Sequence, residues 1–200
     1  YIKTTSTTNS TPRFDHDPET GESLGLLVEE SRTNLLTNSN YLGGSSVIVS
    51  TDTSITAPDG SLTAQKVQIN KSSGTGYSNS SNTITNTSGS TVTYCWSIFI
   101  KRGSTDGASV QFGIYNQGNI SYNFITDTIT NNSATGFGRI LYPNGWVRLF
   151  AYDEVPNGQD INLINVLESV ETQQGLDTFI YQWGMQVEAG SFPTSYIPTC

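Results

Sequence analysis

Charged side chains are scarce in this 200-residue chain, at 13% of residues against about 25% in a typical globular domain. Lysine and arginine together number nine, and the excess of acids gives a formal net charge of −8. A nucleic-acid-binding protein needs clustered cations to neutralise phosphates. The composition therefore excludes nucleic acid as a partner.

Long apolar runs and cysteines are also lacking. No run approaches the roughly 18 apolar residues that a membrane span requires, so we expect no membrane insertion. The two cysteines are Cys95, inside a strand pattern, and Cys200 at the last position. A disulfide between them is possible, but a buried thiol and a terminal thiol are the expected arrangement.

The chain is instead rich in serine, threonine, asparagine and glycine, which favours strands and turns over long helices. Aromatic residues make up 10%, which argues against disorder. In "GSTVTYCWSIFIKRG", apolar residues from Val92 to Ile100 alternate on one face, and "NG" at 144–145 separates two apolar runs. About ten short strands with regular turns, and no helical interludes, predict an all-β jelly-roll β-sandwich.

The N-terminal region reads differently from the rest. Residues 1–12 predict an extended arm, and "RFDHDPETGESLGLLVEE" predicts a hairpin that turns at "DPETG". Leu24, Leu26 and Val28 alternate with Gly25 and Leu27, which predicts a strand covered on both sides. We therefore divide the chain into an arm and docking hairpin at 1–33 and a sandwich at 34–200.

Two long motifs carry a resemblance to a known group of proteins. "PRFDHDPETGESLGLLVEESRTNLL" near the start and "YQWGMQVEAGSFPTSYIPT" at the end resemble a motif pair of tailed-bacteriophage virion proteins. "YCWSIFIKRG" and "LYPNGWVRLFAY" are similar to the middle strands of that group. Its members are tail-fibre, tail-spike or head-decoration proteins with a jelly roll like that of carbohydrate-binding modules.

The resemblance implies a structural or adhesive role on the virion surface. The expected function is attachment to host-surface glycans as a fibre or tail appendage, and the alternative is a capsid decoration or cement protein. Expected partners are other virion proteins and further copies of the chain, with a trimer favoured because phage fibres and spikes are usually trimeric.

The acids of the hairpin do not form a recognisable metal site. Alternating acidic oxygens suit Ca²⁺, but an EF-hand needs glycine at its sixth position and glutamate at its twelfth. Counted from Asp15, these positions hold Thr20 and Leu26. The resemblance allows a structural Ca²⁺ between the first and last strands, yet no ligand set for it stands out. We expect no metal and no cofactor.

Catalysis is not expected either. A glycosidase needs two carboxylates about 5–10 Å apart across a sugar. Glu29 and Glu30 are neighbours and would point to opposite faces of a strand, as would Asp153 and Glu154. The only histidine, His16, has no nucleophile motif near it.

A glycan-binding face can be assembled from polar and aromatic residues on several strands. In "WVRLFAY", Trp146, Arg148, Phe150 and Tyr152 share one face. Trp146 and Phe150 could equally fill the core, whereas Trp96 and Trp183 are assigned to it. If the strands are neighbours, the candidate surface consists of Gln111, Tyr115, Arg148, Tyr152, Gln182 and Gln186.

The Leu-rich hairpin is a candidate assembly element. Its leucines could dock one subunit on another, with charged residues at the rim fixing the register. The alternative is that the hairpin packs on its own sandwich, and both interpretations stay open. The candidate assembly residues are Leu24, Leu26, Leu27, Glu29, Glu30 and Arg32.

Overall fold

The computed structural model describes residues 14–17, 20–39, 42–45, 47–69, 75–80, 83–104, 109–114, 118–161, 163–168 and 179–199. The predicted extended arm lies outside these residues. The first eight strands are β1 (Phe14–His16), β2 (Ser23–Leu26), β3 (Leu42–Ser45), β4 (Val47–Thr51), β5 (Gln65–Ile69), β6 (Thr75–Ser80), β7 (Ile84–Thr85) and β8 (Val92–Arg102). The others are β9 (Ser109–Ile114), β10 (Asn119–Asn123), β11 (Thr128–Asn131), β12 (Gly136–Leu141), β13 (Trp146–Val155), β14 (Asp160–Ile161), β15 (Leu163–Glu168) and β16 (Phe179–Ala189).

Two six-stranded antiparallel sheets dominate the fold. The first has the order β11-β10-β9-β15-β6-β3, and the second has the order β12-β13-β8-β16-β5-β4. Consecutive strands often lie in different sheets, as β3 and β4 do, so the chain winds repeatedly between two layers. The predicted all-β jelly-roll sandwich is confirmed. The described residues contain no helix long and apolar enough to cross a membrane.

The main core lies between the two sheets, because alternate residues of the central strands point inward. Trp96 is fully buried there, which confirms its assignment to the core. Burying one large apolar side chain contributes about 1.5–3 kcal/mol. The cluster includes Tyr94, Trp96, Ile98 and Ile100 from β8 and Val110, Phe112, Ile120 and Tyr122 from β9 and β10.

A bulge in β16 changes which face its side chains occupy. Gly184 has φ +61, and the register with β8 shifts between Trp183 and Gln186. Trp183 therefore packs outside the second sheet, whereas Met185 packs in the main core. Strict alternation along "YQWGMQV" would place these two side chains on one face. One extra residue at the bulge reverses the alternation beyond it.

Both predicted hairpins are present. β1 pairs with β2, and β12 pairs with β13 across the "PNG" turn, where Asn144 and Gly145 have positive φ. The expectation that the β2 strand is covered on both sides is wrong. Leu24, Leu26 and Val28 are 61%, 60% and 82% exposed, because the two-stranded hairpin has no further strand or layer over this face among the described residues.

Candidate functional site

A second apolar cluster covers part of the outer face of the second sheet, and we call it the outer cluster. Its buried rings are Phe99, Trp146 and Trp183. The half-buried Tyr142 packs edge-on against Phe99 at 5.1 Å, and Tyr196 lies 4.3 Å from Trp183 between ring centroids. Trp183 is buried, as expected, although outside the sandwich interior. Trp146 packs as a buried residue of this cluster and is not part of an open binding face. Its Nε1 donates a hydrogen bond to the carbonyl of Thr56.

A cleft of about 810 Å³ separates the outer cluster from the β1–β2 hairpin. On the sheet side it is lined by Tyr142, Trp146 and Arg148, and on the hairpin side by Asp15 and His16. Of the half-buried tyrosines of the outer cluster, Tyr142 and Tyr196 line the cleft and are partly open to it. The cleft combines aromatic rings with a few polar groups, which is the usual make-up of small-molecule sites.

Arg148 is the buried cation of this site, at 3% exposure. Its Nη1 donates to the carbonyl of Thr194 at 2.7 Å, and its Nη2 donates to Ser97 Oγ at 2.9 Å. Burial lowers the pKa of Arg148, while the neighbouring Tyr142 and Glu188 oppose that shift. Burial raises the pKa of Tyr142, so its hydroxyl is protonated at neutral pH.

Two chain segments, residues 29–39 and 190–199, pack against β16, and we call them the clasp. Leu35 and Ser39 bond to the β16 backbone, and Leu36 enters the main core. Arg32 Nη1 donates to the carbonyl of Phe192 at 2.9 Å, and Glu29 Oε1 accepts the amide of Ser195 at 2.7 Å. The guanidinium of Arg32 packs directly against Gly190. Any larger residue at position 190 would clash, because its Cβ would lie 2.1 Å from the guanidinium. The two segments thus hold each other as well as the sheet.

Two fully or almost fully buried polar side chains anchor the clasp. Glu188 accepts hydrogen bonds from the amide and hydroxyl of Thr194 and from Gln186 Nε2. Asn34 Nδ2 contacts Ser39 Oγ and the carbonyls of Met185 and Ile197, while its Oδ1 accepts amides from both the clasp and β16. Buried polar groups need such partners to avoid a desolvation penalty.

The predicted glycan-binding residues are not brought together on one surface. Gln111 belongs to β9 in the opposite sheet and donates to Asn119 Oδ1. Tyr115 lies outside the described residues. Arg148 lines the cleft, whereas Tyr152 is half-buried and its ring packs over Gly136 of β12.

The two predicted glutamines of β16 are fully buried. Gln182 pairs in register with Ile100 and faces inward, while Gln186 lies on the outer face under the clasp and accepts the amide of Ile197. The predicted glycan-binding surface is not formed, for two reasons. Strand order in a sandwich depends on non-local pairing, which a single strand does not reveal. The clasp also covers part of the outer face, and strand alternation does not predict it.

The candidate assembly residues divide into two groups. Leu24 and Leu26 are exposed, Leu27 is half-buried, and Leu24 and Leu27 both line the cleft. Glu29 and Arg32 bind residues of the same chain, as described for the clasp, and Glu30 accepts a 2.8 Å bond from Arg32. The exposed leucines stay available for contact with another chain, while the charged residues secure the chain's own fold.

Sequence reasoning missed the tyrosines of the cleft and the whole clasp. A signal for the clasp exists in "YQWGMQVEA", where long polar side chains interrupt the apolar pattern of a long strand. Such residues in a buried strand indicate a polar network above it. Among the residues that the structure describes, no group of three or more histidine, cysteine, aspartate or glutamate side chains could hold a metal ion.

No protein-family model matches the chain, and no curated protein shows significant sequence similarity to it. It is similar to the solved CBM22-1 and GH10 modules of Clostridium thermocellum endo-1,4-beta-D-xylanase 10B complexed with xylohexaose, with a TM-score of 0.47 and 11% identity over 82% of this chain. It is also similar to the enzymatically active domain of bacteriophage CBA120 tailspike protein 4, with a TM-score of 0.46 and 12% identity over 75% of this chain. The chain spans only 28% and 19% of those two chains, and the comparisons assign it to no family.

Proposed function

We propose that this chain is a non-enzymatic glycan-binding component of a bacteriophage virion, acting in a fibre or tail appendage that attaches to host-surface sugars. The observation that carries glycan binding is the cleft, whose 810 Å³ falls within the range of about 300–1,000 Å³ common for ligand sites. The virion context rests on the resemblance of the two terminal motifs, which reaches from Pro12 to Thr199.

The chemistry of the cleft suits a sugar ring. The C–H face of a pyranose packs against an aromatic ring, and its hydroxyls bond to polar groups nearby. Tyr142 supplies a partly open ring, and Asp15 and Arg148 line the same space. Trp146 and Trp183 support this arrangement from below without being open themselves. The aromatic contact therefore falls to Tyr142 and Tyr196.

Removal of the Tyr142 ring is expected to weaken glycan binding by about three- to tenfold, because an aromatic packing contact is worth roughly 0.5–1.5 kcal/mol beyond its buried area. The measurement is a glycan array followed by titration calorimetry on the best oligosaccharide, with Tyr142→Ala beside the parent. The matched control is Phe137→Ala, which removes an exposed ring of β12 that does not line the cleft. Equal binding by both variants would contradict the assignment of the cleft.

The absence of catalysis is part of the proposal. Asp15 accepts the amide of His16, and Asp59 accepts the amide of Ser61, so these acids already have a local role in turns and the hairpin. Incubation of the protein with the oligosaccharides that it binds is expected to release no new reducing ends. Release at a rate above the buffer control would show a glycosidase instead.

Assembly is proposed to use the exposed face of the hairpin. Phe14 and Leu26 are cross-strand partners and are 53% and 60% exposed, next to Leu24 and Val28 on the same hairpin. We assign this face to other copies of the chain in a trimer, as the resemblance to fibre proteins implies. A hydrophobic patch of this kind is typical of interaction surfaces.

The double variant Leu26→Ser/Val28→Ser is expected to convert the trimer to a monomer, because it removes two exposed apolar side chains from the contact and alters no residue that lines the cleft. Light scattering after size exclusion measures the mass. Ile125→Ser is the control, since Ile125 is 62% exposed but lies between β10 and β11. A parent protein that is monomeric, or a variant that stays trimeric, would count against this assembly mode.

The alternative role is a capsid decoration protein, in which the same apolar hairpin face would dock on the shell. A cryo-EM map of the intact virion distinguishes the two roles by location. Density for this chain in a three-fold bundle at the tail supports the fibre, whereas density on capsomers supports decoration.

A further inference from the structure

We infer that the cleft selects uncharged sugars over sugars that carry a carboxylate. The inference rests on the glycan-binding function proposed above and narrows its ligand class. Two features carry it: the hydrogen bonds already made by Arg148, and the sign of the other charges that line the cleft.

Arg148 is the only arginine or lysine among the described residues that line the cleft. Arginine recognises a carboxylate best through two parallel N–H bonds from its fork. Both terminal nitrogens of Arg148 already donate within the fold, to Thr194 and Ser97. Its Nε is buried and has no hydrogen-bond partner among the described residues. The guanidinium is 3% exposed and these bonds hold it inside the fold, so its fork is not presented to a ligand carboxylate.

His16 presents a similar unsatisfied atom. Its Nδ1 is buried without a hydrogen-bond partner in the described part of the chain, and the residue lines the hairpin side of the cleft. Both nitrogens have almost no accessible surface, so recognition of sugar hydroxyls falls to the carboxylates that line the cleft.

The remaining charges of the cleft are negative: Asp15, Asp17, Glu29 and Asp59. Carboxylates accept hydrogen bonds from sugar hydroxyls, so they suit a neutral polyol. They repel a ligand carboxylate, and the repulsion is stronger in a partly enclosed site than in bulk water. The carboxylates that line the cleft would therefore repel an acidic sugar, and the Arg148 guanidinium is not placed to bind its carboxylate.

The test compares matched pairs of glycans on one array, such as lactose with its sialylated counterpart and a galactan with a polygalacturonate. Each acidic member is expected to bind at least about tenfold more weakly than its neutral partner, with the difference shrinking as salt rises. Asp15→Asn and Asp59→Asn together are expected to reduce the difference about threefold, because they remove two charges while keeping the oxygen that accepts each amide bond.

Glu22→Gln is the matched control, since Glu22 is exposed on the same hairpin and does not line the cleft. It should leave the difference unchanged. Acidic sugars that bind as tightly as their neutral partners, or a difference that the Asp15/Asp59 variant does not alter, would overturn the inference while leaving glycan binding intact. No binding to any glycan would overturn the proposed function and this inference with it.

Discussion

Replacement of Glu188 by glutamine is expected to lower the free energy of unfolding by about 3 kcal/mol. The carboxylate is fully buried and accepts the amide of Thr194 at 2.9 Å, its hydroxyl at 2.6 Å and Gln186 Nε2 at 2.7 Å. Arg32 Nη1 lies 3.9 Å away. A glutamine amide has one acceptor oxygen in place of two, so it cannot keep all three bonds, and Arg32 would keep only its pairing with Glu30.

Urea unfolding of the parent and of Glu188→Gln measures this loss, provided that the dependence on denaturant is the same for both. Glu154→Gln is the matched control, because Glu154 is exposed and is expected to change stability by under about 0.5 kcal/mol. A loss below about 1 kcal/mol for Glu188→Gln would mean that the clasp contributes little to stability.

Replacement of Asn34 by alanine is expected to cost about 3 kcal/mol, since it removes a buried amide that joins three parts of the chain. Asn34 Oδ1 accepts the amides of Leu36 and Val187, and its Nδ2 contacts the carbonyls of Met185 and Ile197. Without this side chain, the partner groups stay buried and lose their bonds. Each such group costs about 1–3 kcal/mol.

The control for Asn34→Ala is Thr33→Ala, at the neighbouring exposed position. Thermal and urea unfolding should show a large shift for Asn34→Ala and almost none for Thr33→Ala. Amide hydrogen exchange adds a local measurement, because the Val187 amide should lose protection in the Asn34 variant. Unchanged protection there would contradict the described bond.

The regular parts of the fold were predictable from alternation and turn chemistry. Tyr94 to Ile100 alternate correctly on the inner face of β8, and the "NG" turn joins β12 to β13. Both signals are local, since a period of two and a positive-φ turn depend on neighbouring residues alone. That is why the sandwich could be anticipated without any long-range information.

The candidate site was predictable only in part, because its parts meet through long-range contacts. Strand alternation places Arg148 beside aromatic residues, and it does line the cleft. Alternation also predicts that Gln111 is on the binding face, but its strand belongs to the other sheet. Gln186 is on the outer face but lies under residues 190–199, so its exposure could not be judged from β16 alone. The bulge at Gly184 also reverses which face of the sheet the later side chains of β16 occupy, and a period-two pattern does not predict this change.

The clasp also has a mechanical consequence. The amide of Ser39 donates to the carbonyl of Thr199, and their hydroxyls lie 2.8 Å apart. Tension applied to the chain before Ser39 and after Thr199 would therefore act on two neighbouring points on one side of the sandwich. Because Leu36, three residues before Ser39, is buried in the main core, such a force would reach the core as soon as the clasp opened. The clasp therefore couples the attachment of the domain to the stability of its core.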